Sequence, residues 1–374
     1  MTSNNPGHIN NLSRAHTNAL KQTWIGLIDA ISKETSLQGK QIADSVYGDE
    51  LFRAVGYDNP DVLVLRWLRS RKWNVNASIN HIMETLKWRH DWGVAEILAN
   101  GERAVSQEEI STGKTYFMGR DRAGRPVCCI HPKEHIKGQF PHEFSEKLTV
   151  FCVETYRKLL QPPIEAVTII FDMGGCETKN MDFHQIKFLI TVIDKYYPDS
   201  LGLILVLNFP WIFNKSWMLV KSWLSPSVQK KVRFIRTAEE LSEVIDLSVL
   251  PKRLFGTQPD FKFIPPTAED EAMFNALRAD TKGKAIAEAA HRDAVRNYLS
   301  ITIQWLNGNE NRNILLERKK ARKQLRHAFE QLSPYISTRT HYHRVGVIKE
   351  PIFQVAYDKL VHGNDKEEPS VTFF

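Results

Sequence analysis

The residues of this chain that could do chemistry are few and poorly grouped. Asp172-Met173-Gly174-Gly175-Cys176 ends an apolar run that reads as a strand. Ligands of α/β sheets gather at strand ends, so Cys176 and His184 could be drawn as a thiol and its base. Cysteine and histidine this close in sequence are mostly incidental neighbours. His131, His135 and His142 are loosely spaced, and His341 and His343 flank a tyrosine. Neither set has the i, i+4 spacing and supporting carboxylate of a helical metal site, so they read as surface or hydrogen-bonded histidines. Cys128, Cys129, Cys152 and Cys176 show no metal-ligand spacing either. The adjacent first two must point to opposite faces of a strand, and all four are expected to be reduced and mostly buried. No G-x-G-x-x-G follows a strand, no G-x-x-x-x-G-K-[ST] is present, and no G-x-S-x-G elbow holds a serine. Dinucleotide enzymes, P-loop NTPases and α/β-hydrolases are thereby disfavoured. The chain is expected not to be an enzyme and to use no cofactor or metal.

What remains is chemistry at a surface. Residues 208–226, NFPWIFNKSWMLVKSWLSP, form the most unusual segment. At helical spacing Trp217, Val220 and Leu224 share one side, while Met218, Leu219 and Trp223 cover much of the rest. A helix apolar nearly all round is either buried or meets a membrane on one side. As a core helix it would only pack. As a pocket lid it would need this two-sided character, with Lys215 and Lys221 reaching anionic headgroups while the tryptophans lie at the interface. The excess of 50 Lys and Arg over 43 Asp and Glu fits an anionic surface, either phospholipid or nucleic acid. The basic run 318–326 lacks interleaved aromatics or a recognisable reader fold, so it reads as a solvated or membrane-facing helix and no nucleic acid is expected.

These groups have to be positioned by a chain of 374 residues, long enough for one large domain with additions or for two. No run approaches the length of a membrane-spanning helix, and the polar start lacks the apolar core of a secretory signal; a soluble, cytoplasmic protein is expected. Leu20, Trp24, Leu27, Ile28 and Ile31 recur at helical spacing, and their helix is expected to pack on its own domain. Asn59-Pro60 reads as an N-cap with proline at the first helical position. A second helix is expected from Asn76, with Ile79, Ile82, Met83 and Leu86 on one face, ending near Gly93. From about Lys114, short β-branched runs alternate with helical stretches, which argues for a largely parallel sheet covered on both faces. Thr237 with Glu240 reads as a capping box opening a helix through Leu247, stopped by Pro251. Beyond Pro265-Pro266 the chain is charged and helical in pattern, and the last dozen residues are polar and expected to be disordered.

The runs LRWLRSRKWNVNASINHIMETLKWR, DRAGRPV, TIIFDMGG, DKYYPDSLGLILVLNFPWIF and LPKRLFG fall in the order and approximate spacing of the CRAL-TRIO family, over residues 60–256. They most nearly resemble its fungal phosphatidylinositol transfer members. The resemblance implies an N-terminal helical region over residues 1–105, with the family's N-terminal helices at about 55–95. It implies an α/β domain over 106–260, whose mixed, largely parallel sheet floors an apolar lipid pocket, and a helical extension over 261–374. It also implies lipid held without covalent catalysis, a gating helix over residues 214–225 built on Trp217, Met218, Leu219, Val220, Trp223 and Leu224, and exchange at phospholipid membranes.

For the headgroup, the resemblance places Arg71 and Lys72 on inositol phosphate, where a guanidinium suits phosphate chemically. Asp199 stands where the family has a glutamate that accepts from inositol hydroxyls. The family's lysine falls on Glu239, leaving Arg236 to compensate with Thr237 supplying a hydroxyl. The pocket is implied at Phe117, Cys128, Ile130, Val167, Ile169 and Phe171. Phe117, Cys128, Val167 and Ile169 match positions that carry hydroxyls in choline-lipid binders, and a buried headgroup left without partners costs about 1–3 kcal/mol per group. Phosphatidylinositol is therefore expected as ligand, phosphatidylcholine is disfavoured, and a more apolar sterol- or squalene-like second ligand stays open. The alternative is a lipid-sensing module that presents ligand to a lipid kinase or tethers a protein partner through the extension.

Overall fold

The computed structural model describes residues 6–160, 163–308 and 312–348. The chain opens with α1 (Arg14–Thr35), α2 (Val46–Val55), α3 (Pro60–Ser70), α4 (Val75–Asp91), α5 (Val94–Asn100) and α6 (Gln107–Ser111). The helix starts are set by caps. Ser13 accepts from the His16 amide to open α1, and Asn59 accepts from the Asp61 amide with Pro60 at the first turn of α3. The cap of α4 is Asn74, which accepts from the Ala77 amide, so that helix begins one residue before Asn76. It stops short of Gly93, whose left-handed φ of 72° no β-carbon has to share.

The alternating region follows as β1 (Thr115–Arg120), β2 (Pro126–Ile130), α7 (His142–Leu159), β3 (Val167–Asp172), α8 (Phe183–Thr191), β4 (Leu201–Leu207), α9 (Asn214–Trp223), α10 (Pro226–Gln229), β5 (Val232–Ile235) and α11 (Ala238–Ser242). The sheet order is β1-β2-β3-β4-β5, antiparallel at the first pair and parallel at the other three. Registers run straight across it: Phe117 pairs with Cys128, Cys128 with Ile169, Ile169 with Ile204, and Ile204 with Val232. Side chains alternate along each strand, so this row shares one face and the intervening residues share the other. On the second face Val127, Cys129, Ile170, Leu203 and Leu205 pack under Leu241, Ile245, Leu250 and Leu254. Both faces are therefore covered, as apolar parallel strands require. The helix opened by Thr237 ends at Ser242 rather than Leu247. Arg122 donates from Nε to the Ser242 carbonyl (2.8 Å) and from its backbone N–H to the Val244 carbonyl (2.9 Å), so the chain turns there.

The extension forms α12 (Ala268–Ala279), α13 (Thr281–Leu306), α14 (Arg312–Ile336) and α15 (His341–Arg344). It shares a core with the N-terminal helices: Leu20, Trp24, Leu27, Ile28 and Ile31 are buried with Leu65, Leu68, Ile82, Val295, Leu299 and Leu325. The basic run of α14 is consequently not a wholly solvated or membrane-facing helix. Arg318 is half-buried and grips Asp61 with both nitrogens (Nη1 to Oδ2 2.6 Å, Nη2 to Oδ1 2.7 Å), while Trp24 donates to the same carboxylate at 2.8 Å and the Tyr298 hydroxyl accepts from Arg318 at 2.7 Å. The heptad-like spacing of Arg318, Ala321 and Leu325 sets one face of the helix inward. The final dozen residues lie outside the described residues, and no described helix is long and apolar enough to cross a membrane.

Burial pushes the Asp61 carboxyl up, but Arg318, with the Trp24 N–H and Arg322, more than offsets this and holds it below its usual value. Its contribution to stability is thus complete above the ordinary carboxylate range and lost as pH falls through the lowered value. Arg318→Met is expected to destabilise the protein by about 3–5 kcal/mol, because it strands a buried carboxylate, and pairing it with Asp61→Leu should recover most of that loss. Urea unfolding of the two variants checks this.

Candidate lipid-binding site

The row of side chains across the sheet forms the floor of an apolar cavity of about 260 Å3. Phe117, Cys128, Ile130, Val167, Ile169 and Phe171 all line it, joined from β4 by Ile204 and Val206. The roof comes from helices at helical spacing: Leu148, Cys152 and Tyr156 of α7, and Ile186, Leu189, Ile190 and Ile193 of α8 and the turn after it. None of the α8 residues is fully buried, because its apolar face looks onto the cavity rather than a packed neighbour. These roof residues were not named from sequence, although their i, i+3, i+4 pattern in FHQIKFLITVI is visible there.

The third wall is α9, and its two sides differ. Trp217, Val220 and Leu224 face the cavity with Phe213 just before them, whereas Met218 and Leu219 are exposed, Met218 at 71 %. Trp211 (81 %) and Ile212 extend the bare apolar surface at the start of the segment. Trp223 is half-buried, its ring edge-on to Phe183 of α8 at 6.1 Å. Lys215 and Lys221 are exposed on the same helix.

The headgroup candidates do not line the cavity. Arg71 and Lys72 follow the last residue of α3, and Arg71 donates from Nε to His81 Nδ1 at 2.9 Å. Asp199 reaches α3 through a different arginine, accepting from Arg69 Nε at 2.6 Å, and Arg69 also donates from Nη2 to Glu165 at 2.5 Å. His8 lies 3.0 Å from Glu165, so the N-terminal arm meets the same cluster. Arg69, Glu165 and His8 were missed in the sequence, because nothing local ties residues so far apart. Lys72, Trp73 and Asp199 all adopt left-handed backbone (φ 51°, 64° and 55°), a strain that side chains other than glycine accept mainly where the surrounding structure enforces it. Arg236 and Thr237 have local roles: the Arg236 amide donates to Glu240 at 2.8 Å, and Thr237 caps α11 by accepting from the Glu240 amide at 3.3 Å. Among the described residues no hydrogen bond or ion pair joins either to the Arg71 and Asp199 positions.

The groups that could be drawn as catalytic have other partners. Cys176 is buried, and burial pushes its thiol up to about 11, far from thiolate at neutral pH. His184 is exposed and lies 2.8 Å from Glu146. Asp172 accepts from the Gly174 amide (3.1 Å) and from Asn208 Nδ2 (2.8 Å), tying the ends of β3 and β4 together. His131 is wedged between the Tyr116 hydroxyl at 2.9 Å and Asp172 at 3.3 Å. Cys128 faces the cavity and Cys129 the opposite side of the sheet, as alternation requires. Among the described residues no cluster of His, Cys, Asp and Glu could hold a metal ion.

The CRAL/TRIO domain model matches residues 110–256, and the CRAL/TRIO N-terminal domain model matches residues 30–84. A CRAL-TRIO domain-containing protein of Schizosaccharomyces pombe is 33% identical over 343 residues, covering 90% of this chain and 75% of its own length. The chain belongs to the CRAL-TRIO family. A phosphatidylinositol transfer protein of Eremothecium gossypii is 30% identical over 321 residues, 83% of this chain and 73% of that one. The crystal structure of Sfh5 superposes with a TM-score of 0.46 at 18% identity, over 60% of this chain and 83% of its own. The matched length takes in the whole cavity floor and α9, and the first relative extends the similarity into the helical extension.

The two sides of α9 in this CRAL-TRIO domain are separable by mutation. Met218→Asp is expected to change stability by no more than about 0.5 kcal/mol, as at an exposed position, while Leu224→Asp should cost several kcal/mol by burying an unpaired carboxylate. Thermal unfolding of both variants provides the measurement.

Proposed function

We propose that this protein takes a single lipid into its cavity and transfers it between membranes, with α9 as the gate and no covalent step. One observation carries the reading: the helix that walls the cavity with Trp217, Val220 and Leu224 turns Met218 and Leu219 to solvent, beside bare Trp211 and Ile212. A core helix has no use for the second surface. Apolar side chains at a membrane interface, with Lys215 and Lys221 beside anionic headgroups, give it one. The protein works in the cytoplasm and visits membranes reversibly.

Phosphatidylinositol is the first ligand in this reading, its chains in the cavity and its headgroup outside. Support comes from the relative named as a phosphatidylinositol transfer protein and from the cationic turn at Arg71 and Lys72. Asp199 accepts from inositol hydroxyls there, with Arg69 holding the carboxylate in place, and Arg236 and Thr237 complete the set. The apolar floor at Phe117, Cys128, Val167 and Ile169 favours a more apolar second ligand over a choline lipid.

Gentle purification followed by native mass spectrometry is expected to find one bound lipid, and the protein should move labelled phosphatidylinositol between liposomes with no other protein present. Finding neither a bound lipid nor uptake would overturn the reading. Met218→Asp should lower liposome adsorption without unfolding the chain. Lys215→Glu with Lys221→Glu should lower it more on anionic than on neutral liposomes, and the difference should shrink as salt rises, since each basic residue contributes about 1 kcal/mol of screened attraction. Arg71→Ala should slow transfer of phosphatidylinositol and leave transfer of a headgroup-free lipid unchanged.

A further inference from the structure

One face of α14 turns into the shared helical core and the other turns to solvent. Ile314, Ala321, Leu325, Ala328 and Leu332 are buried along the inner side, where Arg318 also holds Asp61. On the opposite side Arg312, Leu315, Leu316, Lys319, Lys320 and Lys323 follow the i, i+3, i+4, i+7, i+8, i+11 spacing of a single helix face, and all six are exposed, Leu315 at 50 % and Leu316 at 48 %. Residues three and four apart are neighbours on a helix surface, so these side chains form one continuous stripe.

The charges of this stripe are not balanced as those of its neighbour are. On α13, Lys284 lies 3.8 Å from Glu288, and Arg292 and Arg296 both reach Asp44. On α14, Arg326 and His327 lie 3.2 and 3.6 Å from Glu330, beyond the C-terminal end of the stripe. Among the described residues Arg312, Lys319, Lys320 and Lys323 have no ion pair, and the exposed Glu317 at the flank engages none of them. Lys319 and Lys323 stand four apart, and Lys320 and Lys323 three apart, spacings at which like charges repel and weaken a helix. The two leucines beside them forgo the burial that stabilises apolar side chains elsewhere in the chain. Neither feature serves folding.

We infer that the outer face of α14 docks on an anionic phospholipid membrane, as a contact separate from α9. Cations on long flexible arms meet phosphate and carboxylate groups anywhere on a headgroup layer, with their apolar stems along the boundary. Leu315 and Leu316 enter that boundary at one end of the stripe, which gives their exposure a use. A nucleic acid would draw on the same charges but offers leucine nothing, and the stripe carries no Phe, Tyr or Trp on which a base could stack. A folded acidic partner calls for a recess that sets its orientation, whereas this face is the convex side of one helix. A bilayer surface makes no such demand. The inference goes beyond the carrier reading and requires no lipid in the cavity, since every residue of the stripe lies in the extension, outside the CRAL/TRIO domain match at 110–256.

The test uses the full chain in liposome co-sedimentation at about 0.1 M and about 0.5 M salt, on phosphatidylcholine vesicles with and without about one quarter phosphatidylserine. Lys319→Gln with Lys320→Gln and Lys323→Gln should lower adsorption to the anionic vesicles about tenfold or more at the lower salt, leave adsorption to neutral vesicles unchanged, and flatten the salt dependence. The loss should persist in the Met218→Asp background, where the gate surface is already impaired. Leu315→Ser with Leu316→Ser should also lower adsorption but keep the wild-type salt dependence. Thermal unfolding reports that the variants are folded, and the lysine variant should still move trace labelled phosphatidylinositol between phosphatidylcholine vesicles at the wild-type rate. Adsorption to anionic vesicles that the lysine variant leaves unchanged would overturn the assignment and leave the carrier reading standing. Tighter binding of a short DNA duplex or of polyglutamate than of anionic vesicles, lost in the lysine variant, would overturn it as well. Adsorption that depends on these lysines in a wild-type protein that transfers no phosphatidylinositol would instead sink the carrier reading alone.

Discussion

The site depends on strand register more than on any single residue. Phe117, Cys128, Ile169, Ile204 and Val232 meet across all five strands because each pairs directly with the next. With a side-chain period of two, a slip of one residue in any strand would exchange its cavity residues for those that pack beneath the sheet. For β3 that would put Thr168, now donating to Asp121 Oδ2 at 2.6 Å, into the cavity and Ile169 against Asp121. The penalty of burying unpaired polar groups on one side and losing core on the other is what holds the floor apolar. The bond from Asn208 to Asp172 secures the same register at the strand ends, from which the chain leads into α9.

A cavity in the interior costs dispersion and apolar contacts that a packed core would have, so the rest of the chain has to supply stability elsewhere. The helical layer does this. N-terminal helices and C-terminal extension share one core, closed by a bidentate arginine on a buried carboxylate. The extension then returns to the sheet, where the Tyr342 hydroxyl accepts from the Phe117 amide at 2.9 Å and satisfies an outward N–H of the edge strand. Glu154, Arg89 and Tyr197 make a second buried cluster linking α4, α7 and the approach to β4. Burial pushes Glu154 up, yet Arg89, Arg157 and the Tyr197 hydroxyl bring it down to about 2. Neither α8 nor α9, the two helices that wall the cavity beside α7, carries a fully buried residue of its own.

The ion-pair cluster around Arg69 is built differently. Three non-glycine residues in left-handed backbone surround an arginine shared by two carboxylates, and an arm from the N-terminus closes over it. Asp199 is held in place there by Arg69. Its charges lie outside the apolar cavity.

Periodicity and punctuation are local, and these features were legible in the sequence. Alternation put Cys128 and Cys129 on opposite faces of a strand, and the family resemblance implied Cys128, Ile130, Val167, Ile169 and Phe171 as pocket positions, all of which line the cavity. Helical spacing separated Trp217, Val220 and Leu224 from Met218 and Leu219, and Asn59-Pro60 marked the start of α3. The partners of long charged side chains are not local. Arg318 lies 257 residues from Asp61, and Asp199 lies 130 from Arg69; only the packed chain brings these together. The same holds for the end of α11, where carbonyls captured by Arg122 overrule a pattern that promised another turn. Side-chain direction along an element follows from the repeat of the backbone, which every sequence carries; the choice among competing partners for a flexible charge follows from which surfaces meet, and that is decided only when the tertiary structure forms.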